Sequence, residues 1–114
     1  MNILEQQEEI GQAQVACRAE NEAIQASADT LALLGAIPFV CECPDKDCAA
    51  IVRLTFDEYD AIRQSPRRFF NVSRHETLSV AAGAERVIAV AGELTVVEKI
   101  GIAGDVADAH PRPT

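Results

Sequence analysis

The stretch "PFVCECPDKDCAAIV", residues 38–52, decides how this chain is read, because three of its four cysteines fall there within eight positions. Apolar runs flank the cysteines. "IPFV" reads as a strand, and "AAIVRLTF" alternates Ile51, Arg53 and Thr55 against Val52, Leu54 and Phe56. Between them "PDKD" carries turn chemistry: Pro44 sets a backbone dihedral, and Asp45 and Asp47 suit side-chain turns. Residues at i and i+2 of an extended segment share a face, so Cys41 and Cys43 point together. A turn of this length brings Cys48 back onto them. The expected product is a strand–turn–strand corner that offers three sulfurs to one cation.

In a reducing compartment the cation that suits such thiolates is Zn²⁺. Iron–sulfur clusters take four thiolates at other spacings. A closed structural zinc needs a fourth ligand, and the candidates are Cys17, His75, His110 and the carboxylates of Asp45 and Asp47. His75 is the choice. It follows "RRFFNV", a further strand candidate, within the polar stretch "SRHET", where a loop can carry an imidazole into the site. His110 lies in the tail, and Cys17 sits on a helical stripe where a small buried hydrophobe is the plainer role.

Working outward, residues 3–34 hold no proline and one glycine, and Ile10, Cys17, Ile24 and Leu31 recur every seven residues. Ala13, Ala28 and Leu34 fill the adjacent rows, which predicts a long helix within residues 1–35. Its stripe packs on its own domain or, alternatively, forms a helix–helix seam in which Asn21 sets the register. Gly35 and Pro38 mark its stop. On the other side, "TFDE" reads as a capping box opening a helix from about Phe56 to Gln64, ended before Pro66. "AAGAERVIAVAG" fits a helix closed by Gly92, and "ELTVVEKI" fits a strand. Gly101 and Gly104 read as turn residues, and residues 105–114 as a flexible tail. The class is α+β: a long N-terminal helix, then a small zinc-stapled antiparallel-sheet domain over residues 36–104 with two shorter helices.

Hydrophobic residues make up 48% of the 114, but aromatics only 4%, so the core is short of large side chains and leaves room for a staple. A structural zinc contributes on the order of 10 kcal/mol of apparent binding free energy, which becomes folding free energy. The net charge of −8 argues against nucleic acid as a ligand, since that affinity needs clustered Lys and Arg. The charge is uneven: Arg53, Arg63, Arg67, Arg68 and Arg74 gather between positions 53 and 74. Arg67 and Arg68 are the nominees for contact with an acidic partner. The expected partner is a protein, or a second copy through the N-terminal helix. With no basic-then-apolar leader pattern and no run of 18 apolar residues, the expectation is a cytoplasmic chain that does not enter a membrane.

In order, "FVCEC", "DC", "LTFDEY", "RRF", "HE", "AERV" and "VVEK" resemble a family of short, functionally uncharacterised bacterial proteins. Those read FxCEC, a nearby Cys, LTxxEYxxVR-x-x-P-x-RF, GHE, ERV and VVVEK. The likeness covers about residues 39–104, with a looser echo in "RAENEAI". It implies that Cys41, Cys43, Cys48 and His75 are the shared metal-type side chains. This chain departs from the pattern by having Arg74 where a glycine precedes the histidine, and by extra residues around Leu78–Ala81.

Three functional readings follow. The first is a non-enzymatic interaction or regulatory module with a closed Cys3His zinc. The second is a redox- or metal-responsive switch using the same thiolates, the form that oxidants attack. The third is a small metallohydrolase in which His75 is not a ligand and Glu42, Asp45 or Glu76 acts as general base. The chain holds no His-Glu-x-x-His, no Ser-centred nucleophile motif and no dinucleotide fingerprint, so the first reading leads.

Overall fold

A computed structural model describes residues 2–31 and 35–112. In chain order the elements are α1 (Ile3–Thr30), β1 (Ile37–Val40), β2 (Ile51–Leu54), α2 (Phe56–Ile62), β3 (Arg68–Val72), α3 (Thr77–Ala81), β4 (Glu85–Ala91), β5 (Leu94–Lys99) and α4 (Gly101–Asp108). The class is α+β, with two antiparallel sheets: β1 with β2, and β3-β5-β4.

The first sheet is the predicted corner. Ile37 pairs with Leu54 and Val40 with Ile51, and the Cys41 amide extends the ladder to the Ala50 carbonyl at 3.0 Å. The capping box follows at once. Thr55 Oγ1 accepts from the Glu58 amide at 3.1 Å, and Glu58 accepts from the Thr55 amide at 2.9 Å. With its first orphan amides satisfied, α2 is aimed so that Tyr59 stacks on Phe39, ring centroids 4.3 Å apart. Phe70 meets both rings edge-on. This aromatic trio, with Ala28, Ile37, Leu54 and Ile62, forms the main core. A few large rings at one point offset their scarcity elsewhere.

Helix α1 packs on its own domain, but through only part of the predicted stripe: Ile10, Ile24 and Ala28 face the interior. Its buried residues are Ile10, Gly11, Gln14, Arg18, Asn21 and Ala28. Cys17 is half-buried, Leu31 is 69% exposed, and Leu34 lies outside the described residues. Four spaced apolar residues suggested the face. The real one is set by polar groups with buried partners. Asn21 is engaged inside the chain: its amide donates to the Val40 carbonyl at 2.9 Å and accepts from the Val40 amide at 2.8 Å.

Two further expectations are corrected. The segment "AERVIAVA", read as a helix, is strand β4. Its Val87, Ile88 and Val90 favour extended backbone, and Ala91 pairs with Leu94 across a two-residue loop. Gly92 (φ +61°) is therefore a hairpin residue and not a helix stop. β4 lies at the sheet edge and leaves Val87, Ile88 and Val90 exposed. The second correction concerns the C-terminal segment, where residues expected to fray form α4. Ala103 and Ala107, one turn apart, are buried. A Cβ built on Gly11 of α1 would lie 3.2 Å from Ala103 Cα and from Val106 Cβ, so small residues let the two helices cross closely. Gly104 is a close-approach residue and not a turn: a Cβ there would meet the Arg67 guanidinium at 2.5 Å. Three shorter helices are described where two were expected, because α3 and α4 replace the one assigned to β4.

Candidate metal centre

The thiols converge as the spacing required. Beyond β1 the Cys41 amide bonds the Ala50 carbonyl and the Glu42 amide the Phe70 carbonyl, and the chain bends at Cys43. The Asp47 amide then donates to Asp45 Oδ1 at 2.9 Å and the Cys48 amide to the Asp45 carbonyl at 3.1 Å, closing the turn. His75 arrives from the other sheet. The chain leaving β3 reverses with the His75 amide bonded to the Val72 carbonyl at 3.0 Å. One donor atom from each of Cys41, Cys43, Cys48 and His75 lies within 4.8 Å of all the others. His75 Nδ1 is 3.5 Å from Cys41 Sγ and 3.6 Å from Cys48 Sγ. Cys41 and Cys43 are buried, Cys48 is half-buried, and His75 faces solvent.

The turn that delivers the imidazole requires a left-handed residue. Arg74 has φ +81°, the one non-glycine positive φ among the described residues. That conformation crowds a Cβ, and a glycine would adopt it without that cost. Leu78–Ala81 lie in the short helix α3.

The Val72 amide donates to Cys41 Sγ at 3.3 Å, and the nearby backbone at Asp45 and Ala50 favours the thiolates of Cys43 and Cys48. Cys43 is pulled down to about 5, chiefly by the hydrogen bond from Cys41 and against the cost of burial. Cys41 is pushed up for the reciprocal reason, and Cys48 is pushed up by burial. One thiolate therefore forms readily and hinders the next. Three together need positive charge, and the strongest influences on each are neighbouring sulfurs, burial, backbone amides and, for Cys43, His75. No Lys or Arg is among them.

The other candidate ligands are placed elsewhere. Cys17 approaches only the Cys43 carbonyl, at 3.9 Å, and burial followed by the charge of Glu42 raises its thiol to about 11. His110, just past α4, bonds back to the Val106 carbonyl of that helix. Asp45 is occupied by the turn. Arg67 is clasped to α4, its Nη2 2.7 Å from Asp108 and 3.4 Å from Asp105. Arg68 is half-buried, and its carbonyl accepts from Arg18.

Glu42, considered above as a general base, has a different use. It is fully buried between the two cysteines, and its carboxylate takes Arg18 bidentately at 2.7 and 2.8 Å. It also accepts from Asn21 at 2.9 Å and from the Phe70 amide at 3.3 Å. Its own amide donates to the Phe70 carbonyl at 3.0 Å, so the Cys-Glu-Cys segment joins the two sheets. Deeper in, Lys99 and Glu85 form a fully buried ion pair that Gln14 also contacts. Arg18 lies 4.0 Å and Lys99 5.2 Å from the centroid of the Phe69 ring. Sequence reasoning missed this network. The available signal was charge inside strand-like motifs: Glu42 in "FVCEC", Glu85 in "AERV" and Lys99 in "VVEK".

Comparison with known proteins finds no matching family model, no matching curated protein and no matching solved structure. Among the described residues no helix is long and apolar enough to cross a membrane.

Proposed function

We propose that the chain is a zinc-binding interaction or regulatory protein of the cytoplasm, with Cys41, Cys43, Cys48 and His75 as a closed structural site and no catalysis. The observation that carries this reading is the sulfur–nitrogen separation of 3.5 and 3.6 Å at His75. Tetrahedral zinc with thiolate bonds of about 2.3 Å and imidazole bonds of about 2.0–2.1 Å has a sulfur–nitrogen edge of about 3.5 Å. The chemistry of the donors agrees. Three crowded thiols with no Lys or Arg among their strongest influences suit a soft divalent cation, and four protein donors leave no position for a reacting water. Bound there, zinc holds β1, β2 and the turn after β3 together, and the backbone at Val72, Asp45 and Ala50 supports its thiolates.

A second reading, a redox- or metal-responsive switch, draws support from the exposure of His75 and the partial exposure of Cys48. Oxidants and chelators reach the site from that side.

The test is metal content by mass spectrometry together with thiol counting on the folded protein. One zinc per chain is expected, with Cys41, Cys43 and Cys48 unreactive until a chelator is added. His75→Ala should weaken zinc binding. Free reaction of all three thiols in the native protein overturns the closed site.

A further inference from the structure

The middle of α1 rests on the residue between two of the metal-type cysteines. Of the residues that α1 buries, Arg18 and Asn21 end on the Glu42 carboxylate, and Gln14 donates to the Glu42 carbonyl at 3.2 Å. The flanking contacts of the helix are of another kind: close packing of Ile10 and Gly11 toward α4, and Ala28 against the aromatic core. The centre of the helix is thus held by directional bonds that gather on Glu42, joined by bonds from Asn21 to the Val40 backbone, from Arg18 to the Arg68 carbonyl and from Gln14 to Glu85.

Glu42 is kept in place from both sides. The sulfurs of Cys41 and Cys43 meet at the corner, while the intervening carboxylate lies against Arg18 and Asn21. On the sulfur side, four donors from two sheets meet. On the carboxylate side, α1 meets an ion pair whose side chains are 5% and 0% exposed. A shift of residues 41–43 moves both sets together. A buried pair that loses its geometry leaves an uncompensated charge, which costs far more than an exposed pair would. The helix then separates from its seat instead of adjusting to it.

We propose that metal occupancy of the Cys3His corner controls the docking of the central part of α1, residues 14–21, through Glu42. The inference rests on the reading of that corner as a metal site. Metal-loaded protein holds α1 over the Phe69, Glu85 and Lys99 floor, and metal loss frees that segment and uncovers the floor. Linkage requires the reverse as well: side chains of α1 that grip Glu42 raise the affinity of a site they do not touch.

The experiment is hydrogen–deuterium exchange on the full chain, zinc-loaded and chelator-stripped, with metal content measured on both samples. On stripping, amides of residues 14–21 should exchange roughly ten-fold faster or more, the range of ordinary coupling, while those of β5 keep their protection. Unchanged exchange over residues 14–21 in demonstrably metal-free protein overturns the coupling and leaves the metal site standing. Equal loss over every element also overturns it, because stripping then acts on the whole fold. A chain that binds no zinc overturns the metal reading and the coupling with it. In the reciprocal arm, Asn21→Ala and Arg18→Met should lower zinc affinity, read by competition with a chromophoric chelator. Glu22→Gln, at a residue bonded to Tyr59 and Arg63 and not to Glu42, should leave the affinity within about two-fold, far below ordinary coupling. If Arg18→Met fails to fold, Asn21→Ala carries the test, and wild-type affinity in Asn21→Ala refutes the linkage.

Discussion

Two polar clusters meet at Glu42, and they are built on opposite principles. The buried network under α1 balances itself: Arg18 and Lys99 face Glu42 and Glu85, and amides from Gln14 and Asn21 take up further lone pairs. The corner beside it gathers three sulfurs and an imidazole without any Lys or Arg among their strongest influences. One cluster pairs its charges within the chain, while the other brings four metal-type donors within 4.8 Å of one another. That difference makes the corner a candidate site and the network a structural seam, although both are rich in ionisable groups.

The largest expected effect breaks the comparison at the corner. Chelation should lower the thermal midpoint sharply, because the apparent binding free energy of a structural zinc is on the order of 10 kcal/mol. Differential scanning calorimetry with and without chelator measures it, and an unchanged midpoint would mean that the corner stands without a cation. The next effect belongs to the seam. Lys99→Met leaves Glu85 buried and unpaired and should cost about 3–5 kcal/mol in urea unfolding. Adding Glu85→Leu should return most of that loss, which no second substitution near the sulfurs would do for a missing ligand. Burial pushes the Lys99 ammonium down to about 8 from its usual 10.5. The unfolded chain therefore holds its proton to higher pH, so this group's contribution to stability rises as pH climbs from about 8 toward 10.5 and is lost as pH falls through about 8. The smallest effect sharpens the corner: Arg74→Gly relieves a left-handed non-glycine residue next to His75 and should stabilise the protein by about 0.5–1 kcal/mol. A destabilised variant would show that the Arg74 side chain contributes more than its backbone costs.

The corner was legible in the sequence because its logic is local. A C-x-C on extended backbone, a Pro-Asp turn and a returning cysteine leave few geometries. His75 was chosen by its polar loop and by a family resemblance, since nothing local ties it to sulfurs 27 and 34 positions away. The seam was not legible. On a helix, Gln14, Arg18 and Asn21 look like a solvated face, and only contacts with Glu42, Val40 and Glu85 show them to be the buried one. The strand in "AERVIAVA" was hidden by good helix formers, and the final helix by its glycines.

From the amino-acid order alone came the class of fold, the capped helix α2 and the sulfur corner, because each depends on contacts within a few residues. Tertiary structure alone decided which face of α1 is buried, which acid serves as anchor, and that the last segment is a helix. Those outcomes depend on partners tens of positions apart. A charged side chain becomes an interior one only when an opposite charge is brought to it, and pairwise meetings of that kind leave no periodic trace along the chain.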